Sequence, residues 1–351
     1  MDFATSSETL VWLAKWVGFI SLVLVGLVSI HIIVLRYLLI RRNRREAALH
    51  EQWQPILVSC LDGEPENLPV LEERDITSFL VLWNYFHETL RLAGKDNLNA
   101  VAKKLELDEW ALKALDDSIR EKLLAIQTLG WLQEERGWDE LLEIMRHASP
   151  VTSLCAAKAI LRIDPHKGVP LFLELIPVRS HWSFSTVGKI LKEAGADVVT
   201  KPLIEIASRH EGDELVRLLR FLDTAYEEEV APLVSKLLRD SNDENVLMSC
   251  LRAVVDPLDL PMIRALLRHD SWRVRTQAAI CLGELGTEED IPRLVHAAGD
   301  QNWWVRFRSA HALAELPTMT VPRLKRIASE HQNFFGSDII SKVQKEREAF
   351  Q

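Results

Sequence analysis

The chain has 351 residues, 48% of them hydrophobic, and a formal net charge of −9 at pH 7. It is too apolar to be disordered and long enough for an extended array. It is also too acidic for a dedicated nucleic-acid binder, which presents a basic surface to phosphates. Its four cysteines, Cys60, Cys155, Cys250 and Cys281, lie far apart with no C-x-x-C pair. That spacing argues against a disulfide framework or a Cys-rich zinc site and leaves reduced thiols as the expectation.

The first predicted element is a membrane span over residues 10–40, preceded by a short extracytoplasmic N-terminus, 1–9. From Trp16 to Leu35 the chain reads WVGFISLVLVGLVSIHIIVL without a formal charge; about twenty residues at ~1.5 Å each cross a ~30 Å hydrocarbon layer. Asp2, Glu8 and Lys15 before the apolar core do not make the basic start of a cleaved signal peptide. Arg36, Arg41, Arg42, Arg44 and Arg45 follow it, and the positive-inside bias assigns that flank to the cytoplasm and the N-terminus to the outside. Trp12, Trp16 and Tyr37 sit where amphipathic rings favour the membrane interface. Gly18, Ser21, Gly26 and Ser29 fall within a ~140° arc of the helix, a face small enough for a second membrane helix to approach. His31 lies within two turns of the arginine flank and is read as pointing to the interface.

Residues 41–73, with Pro55 and the turn-rich LDGEPENLP, read as a basic flank, a juxtamembrane helix and a linker. Residues 74–117 read as a divergent helical hairpin, its first helix running from Arg74 to Leu92 and closed by Gly94. From 118 to 330 a period takes over. Pro170, Pro202, Pro232, Pro261, Pro292 and Pro322 are 32, 30, 29, 31 and 30 positions apart, and each precedes an apolar run such as PLFLEL or PRLVHA. Proline suits the first helical position, so each is expected to open one helix per unit. An earlier unit has Trp138 in its place. Ala156, Ala157, Ala278, Ala279, Ala310 and Ala312 permit close helix packing around Leu129, Leu161, Leu282 and Leu313. Gly286 is expected to end its helix in a left-handed conformation, and Asp240, Asp270 and Asp300 to cap the helices that follow them. Residues 331–351 read as a C-terminal capping helix. The fold class is therefore all-α: a membrane helix followed by an α-solenoid of about seven to eight helical hairpins.

The stretch DSWRVRTQAAICLGELGTEEDIPRLVHAAGDQNWWVRFRSAHALAEL from Asp270 resembles two consecutive short HEAT repeats of the type first described in phycobilin lyases. Weaker copies extend the likeness over about two thirds of the chain, which as a whole resembles bacterial membrane-anchored HEAT-repeat proteins. The resemblance implies a scaffold more than an enzyme, because HEAT solenoids serve mainly as scaffolds. One enzymatic branch, the deoxyhypusine hydroxylases, binds a di-iron centre through His-Glu pairs at equivalent helix positions. Here His50-Glu51, His87-Glu88 and His210-Glu211 occupy unlike positions, so no metal site is expected.

Trp182, Trp272 and Trp303 fall just before the first helix of three units and are expected to line one edge of the solenoid, where they either cover neighbouring helix ends or form a partner-binding row. Arg273, Arg275, Arg306 and Arg308 lie beside them; aromatics and arginine dominate binding hot spots. Acids outnumber bases between Glu205 and Glu244, whereas 261–330 is slightly basic, which suits steering of a complementary partner. There is no phosphate-cradling glycine loop, no H-E-x-x-H helix and no G-x-S-x-G elbow. The expected function is a non-catalytic, membrane-anchored adaptor for a protein partner at a bacterial inner membrane, within an envelope-polysaccharide or signalling assembly, without cofactor or nucleic acid. The alternative is a tethered HEAT-type enzyme handling a metal or chromophore, with lyase- or hydroxylase-like activity.

Overall fold

The computed structural model describes residues 3–65, 67–89, 94–254 and 256–349. Met1, Asp2 and the chain-terminal Phe350 and Gln351, parts of the expected N-terminal tail and capping helix, lie outside the described residues, as does Leu90–Leu92 of the expected first hairpin helix. Among the described residues every regular element is helical, with no strand. The chain forms two compact units, Met1–Leu132 and Gln133–Gln351.

The first unit begins with α1, Phe3–Ser59, followed by α2 (Ile76–Thr89), α3 (Lys95–Lys104), α4 (Leu107–Ala114) and α5 (Ile119–Leu132). Two stretches of α1 meet different surroundings. From Val17 to Ile40 its apolar side chains are exposed, and this is the one helix among the described residues long and apolar enough to cross a membrane. The helix then continues through the arginines without a break, with Pro55 inside it, to bury Leu49, Trp53 and Leu57. Trp53 packs edge-on against Phe79 of α2 at 4.7 Å, and the same core takes in Leu80, Trp83, Leu98, Val101 and Leu107. Each fully buried side chain of this kind stabilises by about 1.5–3 kcal/mol, enough for the core to keep α1 helical past the one backbone bond that Pro55 removes.

The second unit holds α6 (Trp138–His147), α7 (Pro150–Ile163), α8 (Pro165–Leu175), α9 (Phe184–Ala194), α10 (Ala196–Ala207), α11 (Gly212–Leu219), α12 (Glu227–Asp240), α13 (Glu244–Ala253), α14 (Leu260–Leu266), α15 (Trp272–Leu285), α16 (Ile291–Ala297), α17 (Trp303–Glu315), α18 (Val321–Glu330) and α19 (Phe334–Ala349). Consecutive odd helices stack, α7 on α9, α11 on α13, α13 on α15 and α15 on α17, while α10 packs on both α8 and α12. Six hairpins thus run from α7 to α18, and α19 covers α17 and α18. A helix pair that leaves one side apolar must bury it on the next pair, which is what makes the array repeat. Ala278, Ala279, Ala310 and Ala312 are buried at these contacts. One close approach is at Gly283, where a Cβ would lie 2.9 Å from the Ala312 Cα.

The proline period has two structural meanings. Pro261, Pro292 and Pro322 stand at the start of α14, α16 and α18, as expected. Pro170, Pro202 and Pro232 instead lie inside α8, α10 and α12. Those helices start earlier because their upstream residues favour a start. Asp164 caps α8 by accepting the Lys167 N–H at 3.0 Å, and Glu227, Glu228 and Glu229 fill the first turn of α12, where acids complement the helix dipole. The Lys167 amide also holds the Asp164 carboxyl below its ordinary value. Two further expectations are corrected. Gly286 is extended, φ −69° and ψ 163°, and not left-handed; a Cβ there would overlap the Leu282 carbonyl oxygen, so the position is small because of close approach. Nor do the three aspartates cap the helices that follow: Asp240 ends α12, and the caps of α13, α15 and α17 are Asp243, Ser271 and Asn302. The connecting loops extend past each aspartate before the helix begins.

Candidate partner-binding face

The twice-written Trp-x-Val-Arg divides its labour by helix geometry. Ser271 accepts the Arg273 N–H and Asn302 the Trp304 N–H, so Trp272 and Trp303 become the first residues of α15 and α17. Two positions later the chain has turned inward, and Val274 and Val305 are fully buried. One position on, Arg275 Nη1 donates to the His269 and Asp270 carbonyls at 2.8 and 2.9 Å, and Arg306 Nη1 donates to those of Asp300 and Gln301, both at 2.9 Å. Each arginine therefore ties down the loop that precedes its own helix. Arg275 also holds Asp300 with two bonds, at 2.9 and 3.0 Å. Arg275 is in this way part of the internal frame, contrary to its expected place on the recognition edge. The tryptophans, at the first turn, point the other way: Trp272 is 39% and Trp303 48% exposed.

Around them the C-terminal repeats gather an aromatic edge. Trp303 stacks on Phe307 at 5.0 Å and meets Trp304 edge-on at 4.7 Å. The guanidinium of Arg306 lies 5.0 Å from the Phe335 ring and that of Arg308 5.6 Å from Phe307. Arg273 lies 5.8 Å from the Trp272 ring and 3.4 Å from Glu244. Trp304, Phe334 and Phe335 are exposed members of the edge that the spacing of tryptophans alone did not reveal. A sequence signal existed: QNWW at 301–304 recurs as QNFF at 332–335. In both copies the asparagine caps the helix, Asn333 accepting from the Phe335 and Gly336 amides at 2.9 and 3.2 Å.

Trp182 does not join this row. It is 8% exposed and packs on Phe172 at 5.1 Å. The reason is a shift of two residues: Ser271 and Asn302 directly precede their tryptophans, whereas Ser183 at the N-cap of α9 follows Trp182. The first-residue position of α9 belongs to Phe184, which is 49% exposed and stacks on Phe221 at 4.8 Å. Phe184 thus takes the exposed first-turn position of α9, while Trp182 is core.

In the first unit Gly18, Ser21, Gly26 and Ser29 lie on the exposed stretch of α1, with open space where a Cβ on either glycine would stand. Arg36, Arg41, Arg42 and Arg44 are exposed on the same helix. Arg45 is engaged elsewhere: its guanidinium binds both Asp75 oxygens at 2.6 Å and Glu72 at 3.2 Å. The Asp75 hydrogen bonds raise its pKa further.

His87 is buried between Trp83, at 4.2 Å, and Trp131, stacked at 4.7 Å. His50 is exposed, and His210 Nδ1 lies 2.8 Å from the Ile206 carbonyl. Among the described residues no group of three or more His, Cys, Asp or Glu side chains is placed to hold a metal ion. No disulfide forms among the four cysteines. Burial pushes the Cys60 thiol up to about 11 and those of Cys250 and Cys281 to about 12, so all three stay protonated and poorly nucleophilic at neutral pH.

Residues 254–314, from the turn before α14 through most of α17, match the family described as HEAT repeats. A search of curated proteins returns no match to the chain. The matched segment contains both copies of the Trp-x-Val-Arg unit, and together with the all-helical repeat architecture it supports a HEAT-repeat protein, a class whose repeats generally mediate protein–protein interaction.

Proposed function

We propose that the chain is a non-catalytic adaptor, anchored in a bacterial inner membrane by α1, with its N-terminus outside and its repeats in the cytoplasm, where the aromatic edge captures a protein partner of an envelope-polysaccharide or signalling assembly. The observation that carries this reading is the series of exposed first-turn aromatics, Phe184, Trp272, Trp303, Trp304, Phe334 and Phe335, with Arg273, Arg306 and Arg308 against their rings or beside them. Exposed clusters of large aromatics with arginine mark interaction sites. The anchor is supported by the uncharged length of α1, by its exposed apolar side chains and by the arginines that follow them.

The test is in-cell photocrosslinking from position 303, with exposed Lys345 as the control position. Capture of one partner from 303 but not from 345, abolished by Trp272→Ala with Phe335→Ala while the thermal melt is unchanged, is the expected outcome. Equal capture from both positions removes the edge as the recognition surface. Extraction of the chain from membranes by alkaline carbonate removes the anchor.

A further inference from the structure

We infer that the repeats around α9 and α11 carry a binding site for a side-chain carboxylate of an acidic peptide segment, which deepens the adaptor reading by naming the chemistry of its partner. A cavity of about 100 Å³ is lined by Arg179, Trp182, Phe184, Arg217, Arg220 and Phe221. Phe184 and Arg220 also line a wider cleft of about 650 Å³ that continues along Leu222, Val230 and Arg252. Among the described residues, no carboxylate lies within 4.0 Å of the guanidinium nitrogens of Arg179, Arg217, Arg220 or Arg252. The acids of the wider cleft do not serve them: Asp223 is paired with Lys192 at 2.8 Å, and Glu227 stands in the first turn of α12, where the helix dipole holds it.

The cavity is also supplied with donors. Arg179 Nη2 donates to the Ala148 carbonyl and Arg217 Nη1 to that of Pro177, both at 2.6 Å, so these side chains are fixed in place. Arg179 Nε and Trp182 Nε1 are buried with no acceptor. Buried N–H groups without acceptors are costly, both side chains line the cavity, and an anion there would neutralise its arginines. A carboxylate at the end of a side chain is the two-oxygen group that guanidinium binds in parallel. The wider cleft, half apolar and roomy, suits the chain that carries it. Arg264 and Arg275, by contrast, are already answered, by Asp290 and Asp300.

The experiment uses the full chain in detergent micelles and a fluorescent octapeptide of alternating Glu and Ala, blocked at both ends, followed by anisotropy. The expected result is salt-sensitive binding that weakens about tenfold in Arg220→Glu and severalfold in Trp182→Phe, which keeps the ring but removes the N–H, and about tenfold when Gln replaces Glu in the peptide. Arg220 is exposed, so its variant is expected to fold even if Trp182→Phe does not. No binding, an unchanged Arg220→Glu, or equal affinity for the Gln peptide overturns the site. Displacement of the peptide by inorganic phosphate at equal or lower concentration overturns it in favour of a phosphorylated ligand. Peptide binding that persists when the aromatic edge fails to capture a partner removes the adaptor edge alone. Capture that persists without peptide binding removes this site alone.

Discussion

The loop before α15 and the loop before α9 are tied down by the same residue type with different consequences. Before α15, Arg275 reaches back to two carbonyls of its own loop and is then neutralised by Asp300. Before α9, the ties come from Arg179 to the preceding repeat and from Arg217 two helices on, and neither guanidinium finds a carboxylate. Arg306 repeats the first solution with the Phe335 ring as its last partner. Within the segment matching HEAT repeats, Arg275 and Arg306 are thus each closed on their own loop. The loop before α9 instead leaves Arg179 and Arg217 lining a cavity.

The largest expected effect tests the shift of Trp182 from edge to core. Trp182→Ala removes a buried ring packed on Phe172 and is expected to cost about 3–5 kcal/mol, the range for large aromatic truncations in cores. Trp272→Ala, at an exposed first turn, is expected to cost far less, as surface substitutions do. Urea melts of the two variants side by side measure the difference. Similar midpoints would return Trp182 to the exposed row and dissolve the contrast between the loops.

A somewhat smaller effect is expected at Asp290, which is wholly buried and holds Arg264 at 2.6 and 2.9 Å. It also accepts the Thr287 N–H at 3.0 Å. Burial pushes its carboxyl up, but the Arg264 hydrogen bonds and the Thr287 amide outweigh burial and leave it below the ordinary value. Asp290→Asn leaves Arg264 with Glu289 alone, at 3.8 Å, and is expected to cost about 3 kcal/mol. The sign with pH follows from the depressed value: the contribution is complete above the unfolded carboxyl value of about 4 and is lost as pH falls through the lower folded one. Wild type should therefore lose stability below about pH 4 more steeply than Asp290→Asn. Parallel curves would show that the pair does not latch α14 to the turn before α16.

The architecture was legible because it is written periodically. The six prolines, the alanines of the packed helices and the doubled Trp-x-Val-Arg all report local geometry that repeats. What proline spacing did not reveal was the helix start, because capping is decided upstream: Asp164 and the Glu227–Glu229 run begin α8 and α12 well before Pro170 and Pro232. The membrane-length helix was plain in composition, but its continuation through Pro55 into a core with Trp53 depends on tertiary partners no local pattern names. The aromatic edge was half legible. Trp272 and Trp303 stood out, while QNFF lacked the tryptophan that draws attention to QNWW. The cavity was illegible, since Arg179 and Arg217 meet only through the stacking of separate repeats.

The smallest expected effect is the most discriminating for the contrast between the two loops. If the arginines lining the cavity are held for a ligand and not for the fold, removing an exposed one must leave the fold alone. Arg220 has the Phe184 ring 5.8 Å from its guanidinium and no ion pair among the described residues. Arginines lining one cleft also repel one another, which offsets part of what a deletion removes. Arg220→Ala and Arg252→Ala are accordingly expected to leave the melting temperature unchanged or slightly raised at low salt, with the rise disappearing as salt screens the cluster. Arg264→Ala, whose guanidinium faces a buried acid, should behave oppositely and melt early at every salt concentration. A lowered melt for Arg220→Ala comparable to that of Arg264→Ala would mean that the divergent repeats use their arginines structurally after all, by contacts equivalent to those of the regular ones.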